Sequence, residues 1–448
     1  MKKYLYLLFA ITVFLLPSCS KDAVFEKETK NIFGQIPKDS KVVVVVNLRN
    51  IAEKLKSNDN EDISDMLEEA MGSAIFNKIE PWVNKKTPLD FTKPAVAFEK
   101  DNQMYLTFFV RNEKAFRDIV DDEYDNKMKQ RNGVWISGDE HIFQIGKQVW
   151  ITSSMEAKPA DFQKFKDFDE SRSFVTLPAA QNLIERHSDL SILVNLKEAS
   201  QFKVVDAELF SSINALANDP AYYEIFVDFE EGQITGRMAL LNKKGEPAKA
   251  SIPLEKINLG TFKQLPGKGS IFFAAGIDAT ALQPMIKKLS RYLDAEITPI
   301  LEQLKGTSAF SLGFTDNYDM GCNAVVNTKS SQGAVEIVPY MNSCFDLQHY
   351  GQISTADQKI LVSNPKVNGI EARDIASKFE DVLIGMAVST KNLPDRFPKN
   401  ISSYFPLASL LFKAENKGLV LELNIETEEG VNSLITICDF LAKIRKYY

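Results

Sequence analysis

The chain has 448 residues, of which 44% are hydrophobic and 25% are charged, and its formal net charge is −7. This composition is typical of a globular protein and does not indicate a disordered chain, and the length indicates two domains or one large duplicated fold. Lysines and arginines are scattered among the acids, so nucleic acid is excluded as a partner and an anionic membrane surface is disfavoured, because both require clustered positive charge.

The first nineteen residues predict an export signal. Lys2 and Lys3 precede an uncharged apolar run, residues 4–16, that is too short to span a bilayer as a helix. The run ends in residues 16–19 (LPSC), which resemble the lipobox of bacterial lipoproteins, where the signal is cut before a cysteine that then carries lipid. We therefore predict that residues 1–18 are a signal peptide and that Cys19 is acylated. The alternative is an ordinary secretory peptide in which Cys19 is incidental.

The segment after the cysteine is polar and charged without a sustained period (SKDAVFEKETK, residues 20–30), which predicts a flexible tether. Residues 19–32 are accordingly assigned to the lipidated cysteine and its tether. The opening Ser20-Lys21-Asp22 partly resembles the charged signal that sends some Bacteroidota lipoproteins to the cell surface, although Ala23 stands where a second acid is expected. An outer-membrane lipoprotein is predicted, and its membrane face stays open.

The body beyond the tether repeats itself. Residues 33–46 are echoed by residues 262–275, and in both a proline-marked turn leads into an apolar strand and then a helical pattern, over about 49–56 and about 279–305. Three further pairs follow in the same order: 96–104 with 312–320, 148–152 with 359–363, and 224–232 with 410–418. Their collinearity predicts a duplication with a first repeat domain over 33–255 and a second over 256–448, which ends in a helix over about 431–446.

Two tandem copies of a strand–helix–antiparallel hairpin unit predict an α+β fold of mainly antiparallel sheets, with helices packed on one face. The phrase IPKDS at residues 36–40, before a valine-rich strand and Asn47-Leu48, resembles the start of the uncharacterised DUF4836 family of Bacteroidota lipoproteins. The lipobox, the tether and the duplicated body agree with that resemblance. It implies no known activity and no catalytic residues.

No catalytic, cofactor or metal site is predicted from the motifs. His141, His187 and His349 are far apart, and HExxH, paired CxxC and GxSxG motifs do not occur. The DNYD run at residues 316–319 is interpreted as a hairpin loop in preference to a calcium site, and GKGS at 267–270 as a turn. Apart from Cys19, the cysteines are Cys322, Cys344 and Cys438; three buried thiols are favoured, and a bridge from Cys322 to Cys344 between neighbouring strands stays open.

Aromatic side chains suggest that the protein could bind a glycan or a peptide. Trp135 and Trp150 lie in strand-like stretches, where core packing is the favoured interpretation; with Tyr105 they are the first residues to consider as ligand contacts if an exposed groove exists. The leading hypothesis is a lipid-anchored envelope protein of a Gram-negative bacterium that acts as a non-enzymatic binding or assembly module. Its expected partners are the membrane, through the anchor, and an unknown envelope protein or glycan, with no cofactor. The alternative is a polysaccharide hydrolase using two carboxylates, which need proximity and no sequence motif.

Overall fold

The computed structural model describes residues 22–55, 88–124, 127–137, 141–152, 162, 165, 168–199, 217–251, 254–278, 297–345, 350–391, 393, 401–415 and 418–447. The signal peptide, Cys19, His349 and residues 279–296 lie outside these ranges. No helix within them is long and apolar enough to cross a membrane. The chain divides into two compact units: Met1–Asn214, Asp219–Pro247 and Glu428–Tyr448 form the first, and Ala215–Asn218 and Ala248–Thr427 form the second. The C-terminal helix therefore belongs to the first unit and not, as predicted, to the second.

The first unit combines a sheet with six described helices. Its elements are α1 (Asp22–Phe33), β1 (Val42–Val46), α2 (Leu48–Leu55), β2 (Ala95–Lys100), β3 (Gln103–Phe109), α3 (Glu113–Tyr124), β4 (Lys129–Arg131), β5 (Val134–Ile136), β6 (Ile142–Ile145), β7 (Gln148–Thr152), α4 (Pro178–Glu185), β8 (Leu190–Asn195), α5 (Leu196–Ala199), β9 (Tyr222–Glu230) and β10 (Gln233–Leu241), with Ser433–Tyr447 as the last helix of the chain. Five consecutive valines favour β1, and Pro178 opens α4 at a position where proline suits a helix start.

The described strands of the first unit form one antiparallel sheet in the order β10-β9-β8-β1-β2-β3-β7-β6-β5-β4. We call the face that carries Val44 the front and the opposite face the back. On the front, a core joins sheet residues such as Val46 and Ala97 to Ile51 of α2, Phe116 of α3 and Leu434 of the C-terminal helix. On the back, Arg186 at the end of α4 lies 4.4 Å from the ring centre of Phe226. Helices therefore cover both faces, whereas one face was predicted.

Residues 22–33 are a helix and not the flexible segment predicted from their charge. Phe25, Thr29, Ile32 and Phe33 of α1 are buried, and Phe33 meets Phe174 edge to face with ring centres 4.9 Å apart. The four residues follow the spacing i, i+4, i+7, i+8, which places them on one side of a helix. This buried stripe, in which Thr29 is the one polar member, holds α1 against the first unit.

The second unit is built from β11 (Leu254–Glu255), α6 (Leu259–Phe262), β12 (Lys268–Gly269), β13 (Ile271–Asp278), α7 (Ile297–Gln303), β14 (Lys305–Phe314), β15 (Met320–Asn327), α8 (Ser331–Phe345), β16 (Gln352–Ala356), β17 (Lys359–Ser363), β18 (Ile370–Glu371), α9 (Ala372–Ile375), β19 (Val382–Ser389), α10 (Ile401–Tyr404), β20 (Leu407–Glu415) and β21 (Gly418–Glu426). The C-terminal helix follows and is α11. The main antiparallel sheet has the order β21-β20-β19-β13-β14-β15-β17-β16.

Two separate cores stabilise the second unit. We call the sheet face that carries Phe273 the front. On the back, Phe272 and Ala274 of β13 pack with Phe262 of α6 and with Phe379. On the front, a second core lies mainly over β15 and β17, where Val326 and Ile360 pack with Ile337 of α8, and Ile277 of β13 packs against it. The chain is thus a mixed protein with large antiparallel sheets, and each unit has helices on both faces.

Candidate functional site

Trp150 and Tyr105 lie together in an aromatic core on the back of the first sheet. Trp150 is only 1% exposed and stacks on Phe165 with ring centres 5.5 Å apart. Tyr105 is half-buried, stacks on Phe98 at 5.0 Å, and donates a hydrogen bond to Oε1 of Gln103 at 3.0 Å. Closely packed rings of this kind contribute their large apolar area to folding, and Trp150 offers almost no surface to a ligand.

Trp135 is not part of that group. It pairs with Gln144, which in turn pairs with Val149, so Trp135 shares a face with Val149 and lies opposite to Trp150. It is half-buried, and the guanidinium of Arg117 lies 4.3 Å from its ring centre. The structure therefore does not combine the three proposed ligand contacts into one surface.

The polar residues singled out in the sequence make local contacts. Nε2 of His187 lies 2.9 Å from Oε1 of Glu26. In the DNYD run, Oδ1 of Asp316 accepts a hydrogen bond from Asn368 at 2.7 Å, and the backbone N–H of Tyr318 donates to the carbonyl of Thr315, as in a hairpin loop. Within the described residues, no group of three or more His, Cys, Asp or Glu side chains is placed to hold a metal ion.

Two cysteines, Cys322 and Cys438, are buried thiols. Cys322 and Cys438 are free, and burial raises the pKa of Cys322 to about 11 and that of Cys438 to about 12, so neither forms a reactive thiolate at neutral pH. Cys344 belongs to helix α8 and not to a strand. A bridge to Cys322 between neighbouring strands, left open by the sequence, is not formed.

Sequence reasoning missed a carboxyl pair formed by the buried Asp189, directly before β8, and the half-buried Asp228 of β9. Oδ2 of Asp189 accepts hydrogen bonds from Nζ of Lys54 and from the backbone N–H of Phe229, both at 2.6 Å. Asp228 accepts from the backbone N–H of Asp189 at 3.0 Å and from Oγ of Ser188 at 3.1 Å. The signal that could have revealed the pair is an aspartate directly before one strand-like run, residues 190–195, and another within a second such run, residues 222–230.

The chemistry of this pair is structural. Burial raises the pKa of Asp189, and the nearby Asp228 adds to that rise, while the Lys54 ammonium and the Phe229 N–H oppose it. A raised carboxyl pKa is what a general acid needs. However, the side chain of Asp189 has no exposed surface, and three of the four carboxyl oxygens of the pair accept hydrogen bonds from protein donors. The pair therefore locks α2, β8 and β9 together, and a substrate has no access to Asp189.

Glu224 on β9 is a second buried acid. Burial raises its pKa, while a hydrogen bond from Asn182 and the charges of Arg237 and Arg186 lower it. Its Oε2 lies 3.8 Å from Nη1 of Arg237. Because the Glu224 side chain is nearly fully buried in the first unit, its ion pair with Arg237 is structural and leaves no room for a substrate.

The most unusual surface is on the front of the second sheet. Strand register aligns five side chains across neighbouring strands β14, β13, β19, β20 and β21: Phe310, Phe273, Met386, Leu410 and Leu423. Three of these large hydrophobic residues are exposed to solvent: Phe310 is 37% exposed, Met386 is 40% exposed and Leu423 is 36% exposed. Phe310 stacks on Phe273 with ring centres 5.1 Å apart. We call this line the apolar row.

The rows on either side of the apolar row are also nonpolar. One contains Leu312, Ile271, Val388, Ala408 and Ile425, and the other contains Ser308, Ala275, Ile384, Phe412 and Leu421. We call the three rows together the apolar face. It holds no charged side chain, and Ser308 is its one polar member, whereas the back of the same strands carries the ion pair of Lys413 with Glu422 at 2.7 Å. The largest apolar patch on the surface of a soluble protein is often an interaction site.

Comparison with known proteins gives no assignment. No family model matches the chain, and no curated protein matches it. Among solved structures, crystal form III of TP0453 is similar with a TM-score of 0.30 and 9% identity over 47% of this chain and 80% of that chain. Crystal form I of TP0453 has a TM-score of 0.28 and 9% identity over 78% of this chain and 96% of that chain. Similarity at these TM-scores carries no argument about fold or function.

Proposed function

We propose that this protein is a lipid-anchored cell-envelope protein of a Gram-negative bacterium whose body is a non-enzymatic binding or assembly module. The observation that carries the binding role is the apolar face of the second unit: three of its large hydrophobic side chains are over a third exposed, in the part of the chain that the structure describes. Fully burying an exposed side chain of this size is favourable by roughly 1.5–3 kcal/mol, so burying the exposed third or more of each of these three contributes about 0.5–1 kcal/mol.

The anchor is the part of the proposal that comes from sequence. The lipobox-like residues 16–19 predict diacylation or triacylation of Cys19, and two or more acyl chains make a stable membrane anchor. Growth with a clickable fatty-acid analogue tests it: we expect labelled protein from the natural sequence and none from Cys19→Ala, with Cys438→Ala as the control that keeps its label. An unlabelled natural protein, or label retained in Cys19→Ala, refutes the anchor.

The same proposal includes a duplicated body. The strands of the two sheets are arranged in the same order relative to their order along the chain. That arrangement is β10-β9-β8-β1-β2-β3-β7-β6 in the first unit and β21-β20-β19-β13-β14-β15-β17-β16 in the second. One further hairpin, β4–β5, extends the first sheet. A common strand order in sheets of eight positions supports two copies of one ancestral unit.

Side-chain register adds to that support. Val44 and Phe273 occupy the same place in the two sheets and are 229 residues apart, as the pairing of 33–46 with 262–275 requires. Ile151 and Val362 likewise correspond and are 211 residues apart, as 148–152 with 359–363 requires. Two of the four sequence pairs therefore agree with the sheets residue by residue.

Photo-cross-linking in the producing bacterium tests the binding role. A benzoylphenylalanine in place of Met386 is expected to give a discrete adduct after irradiation, because the ring lies in the apolar row. The matched control is the same residue in place of Val335 on α8, which is 56% exposed but lies outside the apolar face. Equal adducts from both positions, or none from position 386, would refute a binding role for this face.

A further inference from the structure

The dimensions of the apolar face restrict what covers it. Five strands spaced about 4.8 Å apart span about 19 Å from first to last, and three rows spaced about 7 Å apart span about 14 Å along the strands. A helix rises 1.5 Å per residue and is about 10 Å wide with its side chains, so a helix of 13 to 15 residues fits across the five strands. A face of this size offers about 300–500 Å², which is below the roughly 800 Å² per partner of a standard protein interface. A second copy of the same sheet, packed flat against it, would therefore bind weakly.

The first unit shows how this fold covers the same sheet positions. The row that corresponds to the apolar row is Ala97, Val44, Ile192, Ile225 and Met238 on β2, β1, β8, β9 and β10. None of these five side chains is exposed. Ala97 and Val44 join a core with residues of two amphipathic helices, α2 and α11, which contributes Leu434, Ile435 and Cys438. Amphipathic helices thus pack over Ala97 and Val44 at one end of this row, whereas Phe310, the counterpart of Ala97 in the second unit, is 37% exposed.

We infer that the apolar face of the second unit binds an amphipathic helix of a partner protein, whose apolar stripe lies across Phe310, Met386 and Leu423. The inference rests on the proposed binding function and adds its site and the chemistry of its partner. Phenylalanine, methionine and leucine are adaptable contacts for a helix that carries apolar residues at i, i+3, i+4 and i+7. Because the face has no charge, the stripe needs no complementary charged residue.

A peptide with the sequence of α11, SLITICDFLAKIRKY, is a suitable probe because this helix contributes Leu434, Ile435 and Cys438 to the core on the front of the first sheet. The peptide is labelled with fluorescein and titrated with a protein that begins at residue 19 and carries Cys19→Ser. Reductant is present throughout, and the fluorescence anisotropy of the peptide is measured. We expect saturable binding, and at least tenfold weaker binding to Met386→Lys, since an ammonium at the centre of the row has to be desolvated. Val335→Lys, at an exposed position outside the face, should bind like the parent chain.

Further measurements distinguish binding at the apolar face from misfolding of a variant and from nonspecific adsorption of the peptide. Circular dichroism checks that each variant is folded, and Leu423→Lys replaces Met386→Lys if that variant does not fold. A scrambled peptide of the same composition should not bind. Binding of the scrambled peptide, binding unchanged in the lysine variants, or no binding at 1 mM probe each overturns the inference.

Two controls address a lipid surface and a second copy. The parent chain should neither float with phosphatidylcholine vesicles nor sediment as a dimer through this face. Flotation or dimerisation that Met386→Lys abolishes would overturn the helix as occupant. Failure of the peptide leaves the acylation test of Cys19 untouched, and an adduct from position 386 without peptide binding would keep the binding role and remove only the helical partner.

Discussion

Replacing Phe25 by alanine tests whether α1 is part of the folded body. Phe25 is buried, meets the ring of His187 edge to face with ring centres 5.6 Å apart, and lies on the stripe with Ile32 and Phe33. Truncation of a buried phenylalanine removes its transfer free energy and leaves a cavity, which together cost about 3–5 kcal/mol. A flexible tether would lose nothing. The two interpretations of residues 22–32 therefore differ by an amount that is a large fraction of the stability of a typical domain.

Tryptophan fluorescence during urea unfolding measures this cost in the first unit alone, because Trp82, Trp135 and Trp150 all belong to that unit. With an m-value of about 3 kcal/mol/M, the urea midpoint of Phe25→Ala should fall by about 1–1.7 M. Lys27→Ala is the matched control, since Lys27 is exposed on the same helix, and its midpoint should move by less than about 0.2 M. Equal midpoints for the two variants would refute the docking of α1.

Two other predictions concern buried titratable groups. The raised pKa of Asp189 means that ionising this carboxyl opposes folding, so its contribution to stability is fully present below the ordinary carboxyl pKa near 4 and is lost as pH rises through the raised pKa. From pH 4 to 7, the urea midpoint of the parent protein should therefore fall relative to that of Asp189→Asn. A difference between the two midpoints that does not change with pH would contradict this cause. Cys322 and Cys438, with pKa values of about 11 and about 12, should resist iodoacetamide at pH 8 in the native protein and react in 8 M urea, as peptide mass spectrometry would show; rapid native alkylation would refute their burial.

Strand positions are readable from local sequence because they depend on local properties. The sequence pairs residues 148–152 and 359–363 as strands, and these residues form β7 and β17 with those bounds. The helix predicted over 49–56 is α2, Leu48–Leu55, and the one predicted over 431–446 is α11, Ser433–Tyr447. Runs of β-branched residues and a 3.6-residue period are strong enough to place such elements without tertiary information.

Sheet faces are not readable in the same way, because register depends on turns. The sequence pairing sets Phe98 against Phe314, but Phe98 lies on the back of its sheet and Phe314 on the front. The β2–β3 hairpin turns in two residues, Asp101 and Asn102, whose φ angles of 54° and 62° suit a tight turn. The β14–β15 hairpin turns through the five residues 315–319. A shift by an odd number of residues moves every side chain to the other face, so the exposed row is hidden in the sequence.

The remaining misses involve contacts distant along the chain. Asp189 is held by Lys54 and Phe229, which are 135 and 40 residues away, and no local pattern reports such partners. The stripe of α1 is obscured for a related reason: Lys27, Glu28 and Lys30 make the segment read as polar, while its apolar residues are ordered by the first unit against which they pack. Tertiary packing overrides a weak local preference in short helices.

The position of α1 changes what an anchor at Cys19 would do. If residues 20–32 were a tether, the body could move several tens of ångströms from the membrane, since an extended chain spans about 3.3–3.6 Å per residue. With the helix beginning at Asp22, only Ser20 and Lys21 separate an acylated Cys19 from a folded element, a reach of about 10 Å. An acylated protein of this design holds its first unit against the lipid surface. The anchor would then restrict how far that unit can turn and move from the membrane, which a flexible arm would not do.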